Sequence, residues 1–137
     1  MLHSLSDDDW VTLLREAKYF YDNHMLMESQ QRLDSVKSLA AWDVFTIGQL
    51  SQLTGMSTTT LYKMVDTRGF GGGRFNPRSL DTLLQLRLNR NNGLPLSPVL
   101  LHTAVAENNS QRTIHKFTGI GQATISRRLH AYSDSGI

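Results

Sequence analysis

The chain has no cysteine, which removes disulfide frameworks, thiol catalysis and thiolate metal sites together and suits a reducing compartment. It has no apolar run near the roughly 18 residues of a membrane span, and the start Met-Leu-His-Ser-Leu-Ser-Asp-Asp-Asp is acidic where a secretion signal is basic. The expectation is a soluble, cytoplasmic protein with no membrane partner. His3, His24, His102, His115 and His130 form no His-x-x-x-His pair and have no carboxylate beside them at ligand spacing, so no metal site is expected. A nucleophile elbow is missing too. The only run of carboxylates, Asp7 to Asp9, is accounted for by helix capping, so the expectation is no catalytic residue, no cofactor and no enzymatic activity. The glycine cluster at 69–73 is not followed by Gly-Lys-Ser/Thr and no clear apolar strand precedes it, which argues against a nucleotide-binding loop.

What is present is a chain of 137 residues, 39% apolar, enough for one compact domain or two very small ones. Its charge is unevenly divided. Residues 1–62 carry 4 basic and 8 acidic side chains, net −4, whereas residues 63–137 carry 10 and 4, net +6. An acidic head on a basic body is the distribution expected if the body alone approaches a polyanion.

A helix is predicted from Ser6, which can cap it, with Asp7, Asp8 and Asp9 where the helix dipole favours negative charge and Asp9 placed for a capping-box contact. Trp10, Leu13, Leu14, Ala17, Tyr21 and Met25 follow at helical spacing, with Phe20 widening the stripe. Leu33, Val36, Leu39 and Ala40 continue the pattern after a polar interval, as either one long helix or two joined ones ending near Trp42. Such a stripe needs a partner surface, in the rest of the chain or in a second copy.

Two short helical patterns then flank Gly55. Thr46 caps the first, with Ile47, Leu50 and Leu53 inward; Ser57 caps the second, with Leu61, Met64 and Val65 inward and Met56 beneath the turn. Gly55 stands where a left-handed backbone is needed to turn the chain, which is the spacing of a helix-turn-helix. The glycine cluster that follows, flanked by Arg68 and Arg74 and anchored by Phe70 and Phe75, reads as a small β-hairpin or wing. Pro77 opens a Leu-rich helix through Leu80, Leu83, Leu84, Leu86 or Arg87, and Leu88, ending at Asn91-Asn92-Gly93. Ser97 and Pro98 start another through Val105. Finally, Thr54-Gly-Met-Ser-Thr-Thr-Thr-Leu-Tyr-Lys-Met-Val65 aligns without gaps on Thr118-Gly-Ile-Gly-Gln-Ala-Thr-Ile-Ser-Arg-Arg-Leu129, and Leu50 and Leu53 match Ile114 and Phe117 upstream. The turn signal is repeated.

With these pieces assembled, Phe45–Val99, about 55 of the 137 residues, resembles the winged helix-turn-helix of MerR-type regulators and phage excisionases. The resemblance rests on Phe45-Thr-Ile-Gly-Gln-Leu50, Leu53-Thr-Gly-Met-Ser57, Thr60-Leu-Tyr62, Gly73-Arg-Phe75, Ser79-Leu-Asp81 and Gly93-Leu-Pro-Leu-Ser97. It implies that the second helix enters the major groove, that the wing lies on the backbone and that dimers read inverted half-sites. By position, Ser57, Thr58, Thr59, Tyr62 and Lys63 then face DNA, with Arg68 and Arg74 as wing contacts. In the C-terminal unit Gln122 suits adenine, Arg127 or Arg128 guanine or phosphate, and Ser126 lies on the same helix. Helices before the motif and a second unit after it depart from the family pattern, and no effector site carries over.

The expected organisation is an all-α fold with a small β wing and tandem helix-turn-helix units. Its parts are a helical dimerisation or protein-partner region at 1–44, a winged helix-turn-helix at 45–99 and a second unit at 100–137. The expected function is a sequence-specific transcriptional regulator binding double-stranded DNA as a homodimer. The rival expectations are a phage-type recombination or packaging factor, excisionase-like or small-terminase-like, and a helical protein-protein adaptor.

Overall fold

The structure, a computed structural model, describes residues 5–69 and 73–135, with side chains to residue 131. The described residues are all-α. The helices are α1 (Asp7–Asn23), α2 (Ser29–Ala41), α3 (Ile47–Thr54), α4 (Thr58–Met64), α5 (Leu80–Asn91), α6 (Pro98–Ala106), α7 (Gln111–Thr118) and α8 (Gln122–Ser135), and the longest connection is that between α4 and α5. None of them is long and apolar enough to cross a membrane.

The capping box predicted for α1 forms: Asp9 N–H donates to Ser6 Oγ and Ser6 N–H to the Asp9 carboxylate, both at 3.0 Å. Leu13, Leu14, Ala17 and Phe20 are buried as expected, and Trp10 and Tyr21 are half-buried at the edge of the stripe. Met25 is not part of it. The chain leaves the α-helix at Asn23 for a 3-10 turn over His24–Leu26, which turns Met25 outward to 80% exposure. The two apolar patterns are therefore two helices. Arg32 closes the break, its guanidinium donating to the His24 carbonyl through Nε and to the Met27 carbonyl through Nη2, both at 3.0 Å, which pairs two carbonyls of the turn between the helices. Helix α2 then returns along α1, where the Glu16 carboxylate accepts from Ser38 Oγ at 2.7 Å and Trp42 Nε1 at 3.1 Å.

Helix α5 lies between α1, α6 and α7. Its start is a 3-10 turn at Pro77–Ser79, and both Leu86 and Arg87, alternatives in the sequence pattern, are buried, while Leu84 and Leu88 are half-buried. Side chains from the N-terminal, central and C-terminal stretches enter one apolar cluster. At its centre Phe117 packs 5.6 Å from Phe45, 5.4 Å from Phe75 and edge-on to Trp10 at 6.2 Å between ring centres.

The expected β wing is not formed among the described residues, which contain no strand; Phe70, Gly71 and Gly72 lie outside them. On either side of that gap the backbone bonds to the core rather than across a hairpin. Before it, Arg68 N–H donates to the Asp43 carboxylate at 2.9 Å and Thr67 Oγ1 to the Phe45 carbonyl at 2.9 Å. Gly69 (φ +62°) runs so close to Phe45 that a Cβ there would meet its carbonyl carbon at 2.7 Å. After the gap, Ser110 N–H donates to the Arg74 carbonyl at 3.0 Å, Asn76 N–H to Asn109 Oδ1 at 3.1 Å, and Phe75 is buried. Groups that a hairpin would pair with each other are already occupied. The residues before 70 are thus tied to the N-terminus of α3 and those after 72 to that of α7.

Candidate nucleic-acid interface

The sequence repeat is a repeat of backbone geometry. Gly55 ends α3 at φ 74°, ψ 2°, and Gly119 ends α7 at φ 77°, ψ 1°. The N–H of Gly55 donates to the Ser51 carbonyl and that of Gly119 to the His115 carbonyl, each at 2.9 Å. The threonine before each glycine does the same work twice. Thr54 Oγ1 donates to the Leu50 carbonyl (2.8 Å) and accepts from Met56 N–H (3.1 Å); Thr118 Oγ1 donates to Ile114 (2.6 Å) and accepts from Ile120 N–H (3.2 Å). This hydroxyl bonds back to the carbonyl four residues earlier and at the same time pairs one turn amide. The first helices are capped alike as well, Thr46 Oγ1 accepting from Gln49 N–H and Ser110 Oγ from Thr113 N–H, both at 3.1 Å.

The units differ at the start of the second helix. Ser57 Oγ accepts from Thr60 N–H at 3.2 Å, whereas Gly121 stands at the matching position and has no side chain to cap α8, although its carbonyl accepts the first helical bond from Ile125 N–H at 3.0 Å. Beneath the turn Met56 is half-buried and Ile120 buried.

Each second helix has one face held by the core. Leu61 is buried with Met64 and Val65 half-buried beside it, and Ile125 is buried with Leu129 half-buried. The opposite faces are open: Ser57, Thr58, Thr59, Tyr62, Lys63, Arg68, Arg74, Gln122, Arg127 and Arg128 are all exposed, and Ser126 is half-buried. Tyr62 is 71% exposed, so its ring has no structural occupation. Arg127 Nη2 rests on Thr124 Oγ1 at 3.3 Å. The open face of α4 carries hydroxyls and one lysine, and that of α8 an amide, a hydroxyl and two guanidiniums. Both can donate to phosphates, but only α8 offers the bidentate arginine suited to guanine.

The first helices of the two units meet in the interior. Lys116 Nζ, on a residue 5% exposed, donates at 3.0 Å to Gln49 Oε1, which also accepts from Thr46 N–H at 3.1 Å within the capping box of α3. Burial pushes the Lys116 ammonium down to about 7. A cationic group missed in the sequence reading lies next to it. Arg87 is 2% exposed, donates from Nε to the Phe117 carbonyl at 3.1 Å and stacks its guanidinium 5.1 Å from the Trp10 ring centre. Its pKa falls to about 10, through burial first and then through Arg90, with Asp7 opposing, so it stays charged at neutral pH. Read along the chain, Arg87 is an alternative to Leu86 on a Leu-rich stripe and Lys116 has the pattern of a solvated helix residue, so neither shows that it brings charge into the core.

No protein-family model, curated protein or solved structure matches this chain.

Proposed function

We propose that the chain binds double-stranded DNA as a sequence-specific transcriptional regulator, with α4 in the major groove. One observation carries this reading: the chain builds the same glycine turn twice, and each turn delivers a helix with one face in the core and a polar face left open. By the resemblance of the sequence 45–99 to helix-turn-helix regulators, α4 is the reading helix in this proposal, with Arg68 and Arg74 on the DNA backbone. Because α4 offers no arginine, its base specificity is modest, and Gln122, Arg127 and Arg128 of the C-terminal unit carry a large share of affinity. The exposed Tyr19, Met25 and Leu26 support the N-terminal helices as the homodimer or protein-partner surface.

The test is duplex affinity against salt concentration. The wild-type chain is expected to bind at low salt with a log–log slope that becomes shallower by about 0.9 for each phosphate contact removed. Lys63→Ala, Arg74→Ala and Arg127→Ala are each expected to flatten it. Absence of binding at low salt, or a slope that none of the three changes, rejects the reading.

A further inference from the structure

Away from the open faces of α4 and α8, a recess of about 360 Å³ lies where α1, α5 and α7 come together. Three guanidiniums line it, those of Arg87, Arg90 and Arg112, together with His115 and Lys116, and Asp7 is its one carboxylate. Asp7 is shared, its Oδ1 lying 3.0 Å from Arg90 Nη1 and 3.5 Å from Arg87 Nη1, while Arg112 has no acidic partner among the described residues. Three guanidiniums against one carboxylate leave the recess with an excess of positive charge that favours an incoming anion.

The cluster is built into the fold. Arg87 is held on both sides, by the Phe117 carbonyl and the Trp10 ring, so its guanidinium is oriented in advance. The left-handed Gly119 that turns the chain between α7 and α8 also leaves the space these groups occupy: a Cβ there would lie 2.8 Å from Arg87 Nη1 and 3.1 Å from Arg90 Cζ. The volume is at the lower end of the ~300–1,000 Å³ of small-molecule sites. Forked guanidinium donors match carboxylate and phosphate oxygens alike, and phosphate carries the larger charge to set against three guanidiniums and one carboxylate.

We infer that this recess between α1, α5 and α7 is a phosphate-binding site, in which Arg90 and Arg112 grip the phosphate oxygens, Arg87 supplies fixed positive charge behind them, and Asp7 holds the site closed until the anion displaces it. The phosphate can come from a free small molecule or from a DNA backbone, and the site itself does not depend on the helix-turn-helix reading.

Calorimetric titration with inorganic pyrophosphate, at constant ionic strength, tests it. The wild-type chain is expected to bind at one saturable site. Arg112→Glu, on an exposed side chain, is expected to weaken binding by about tenfold or more and Asp7→Asn to tighten it by about three- to tenfold, as expected when a charge-assisted contact is reversed and a competing carboxylate is neutralised. Lys37→Glu, on the outside of α2, makes the same change of net charge as Arg112→Glu and serves as the control for bulk charge. Unaltered melting temperatures separate these effects from misfolding. Absence of saturable binding, weaker binding in Asp7→Asn, or an equal loss in Lys37→Glu and Arg112→Glu would overturn the site. With binding established, a duplex competition identifies the source: pyrophosphate displacing DNA, together with a loss of duplex affinity in Arg112→Glu, supports the site as a backbone contact. Unchanged duplex affinity supports it as a site for a free phosphorylated molecule.

Discussion

Lys116 is a buried cation whose charge works against the fold. Its ordinary pKa of 10.5 holds in the unfolded chain and falls to about 7 in the folded one. Between those values the unfolded state binds the extra proton, so stability rises as pH rises from about 7 toward about 10, and below about 7 the penalty is fully present. The groups around it, Arg87, Arg90, Arg112 and His115 against the single Asp7, are mostly cationic and do not relieve it. Lys116→Met keeps the chain length and loses the charge, while Gln49 Oε1 retains its bond from Thr46 N–H. The variant is expected to be more stable than the wild type at pH 6 to 7, by at least about 1 kcal/mol, with the difference shrinking as pH is raised to 10. Urea unfolding at several pH values measures it; a constant difference across the range would show that the ammonium is not the cause. Charge of this kind was not legible in the sequence, since a lysine between two core positions looks like any solvated helix residue until the neighbouring helix covers it.

At the scale of elements, most boundaries were legible because they are local. Ser6, Thr46, Ser57, Ser97 and Ser110 each accept a bond from the amide three residues on, and Gly55 and Gly119 adopt the left-handed conformation that ends their helices. These features are settled by residues within one turn of the chain. The missing cap of α8 is the exception and yields a stabilising substitution. Gly121 is not in the left-handed region, and a Cβ there would meet nothing closer than Thr124 Oγ1 at 3.8 Å. Gly121→Ser is therefore expected to reproduce the Ser57 cap and to restrict the unfolded chain, raising stability by about 0.5–1 kcal/mol in chemical unfolding. A neutral or destabilising result would mean that α8 does not begin where the repeat places it. The wing failed at this same scale: a glycine cluster between two arginines has the composition of a hairpin, but composition does not reveal that Asp43, Asn109 and Ser110 take up flanking backbone groups and that Phe45 accepts from the Thr67 hydroxyl.

Across the whole molecule, Phe117 joins the parts. It belongs to the C-terminal unit by sequence, yet its ring lies against Phe45 before α3, Phe75 after the glycine cluster and Trp10 of α1. Phe117→Ala is expected to cost about 3–5 kcal/mol, a large part of a total that is commonly about 5–15 kcal/mol. The three stretches should be lost in one transition, followed by hydrogen exchange or by tryptophan fluorescence from Trp10 and Trp42. Melting in two steps, with the amides of 47–64 still protected after those of 111–125 have exchanged, would show instead that the units fold independently.

By itself the sequence determined the helices, their caps, the repeated turn and which side chains of α4 and α8 stay outside, because each follows from spacing and from chemistry within a few residues. Only the tertiary structure decided that the α1–α2 pattern breaks at Asn23, that Arg68 bonds before α3 while Arg74 bonds at the start of α7, and that Arg87, Arg90, Arg112, His115 and Lys116 gather around Asp7. Those outcomes join residues up to 83 positions apart, as in the Asp7–Arg90 pair, and pairing at that range depends on which helix faces which, something no local pattern along the chain records.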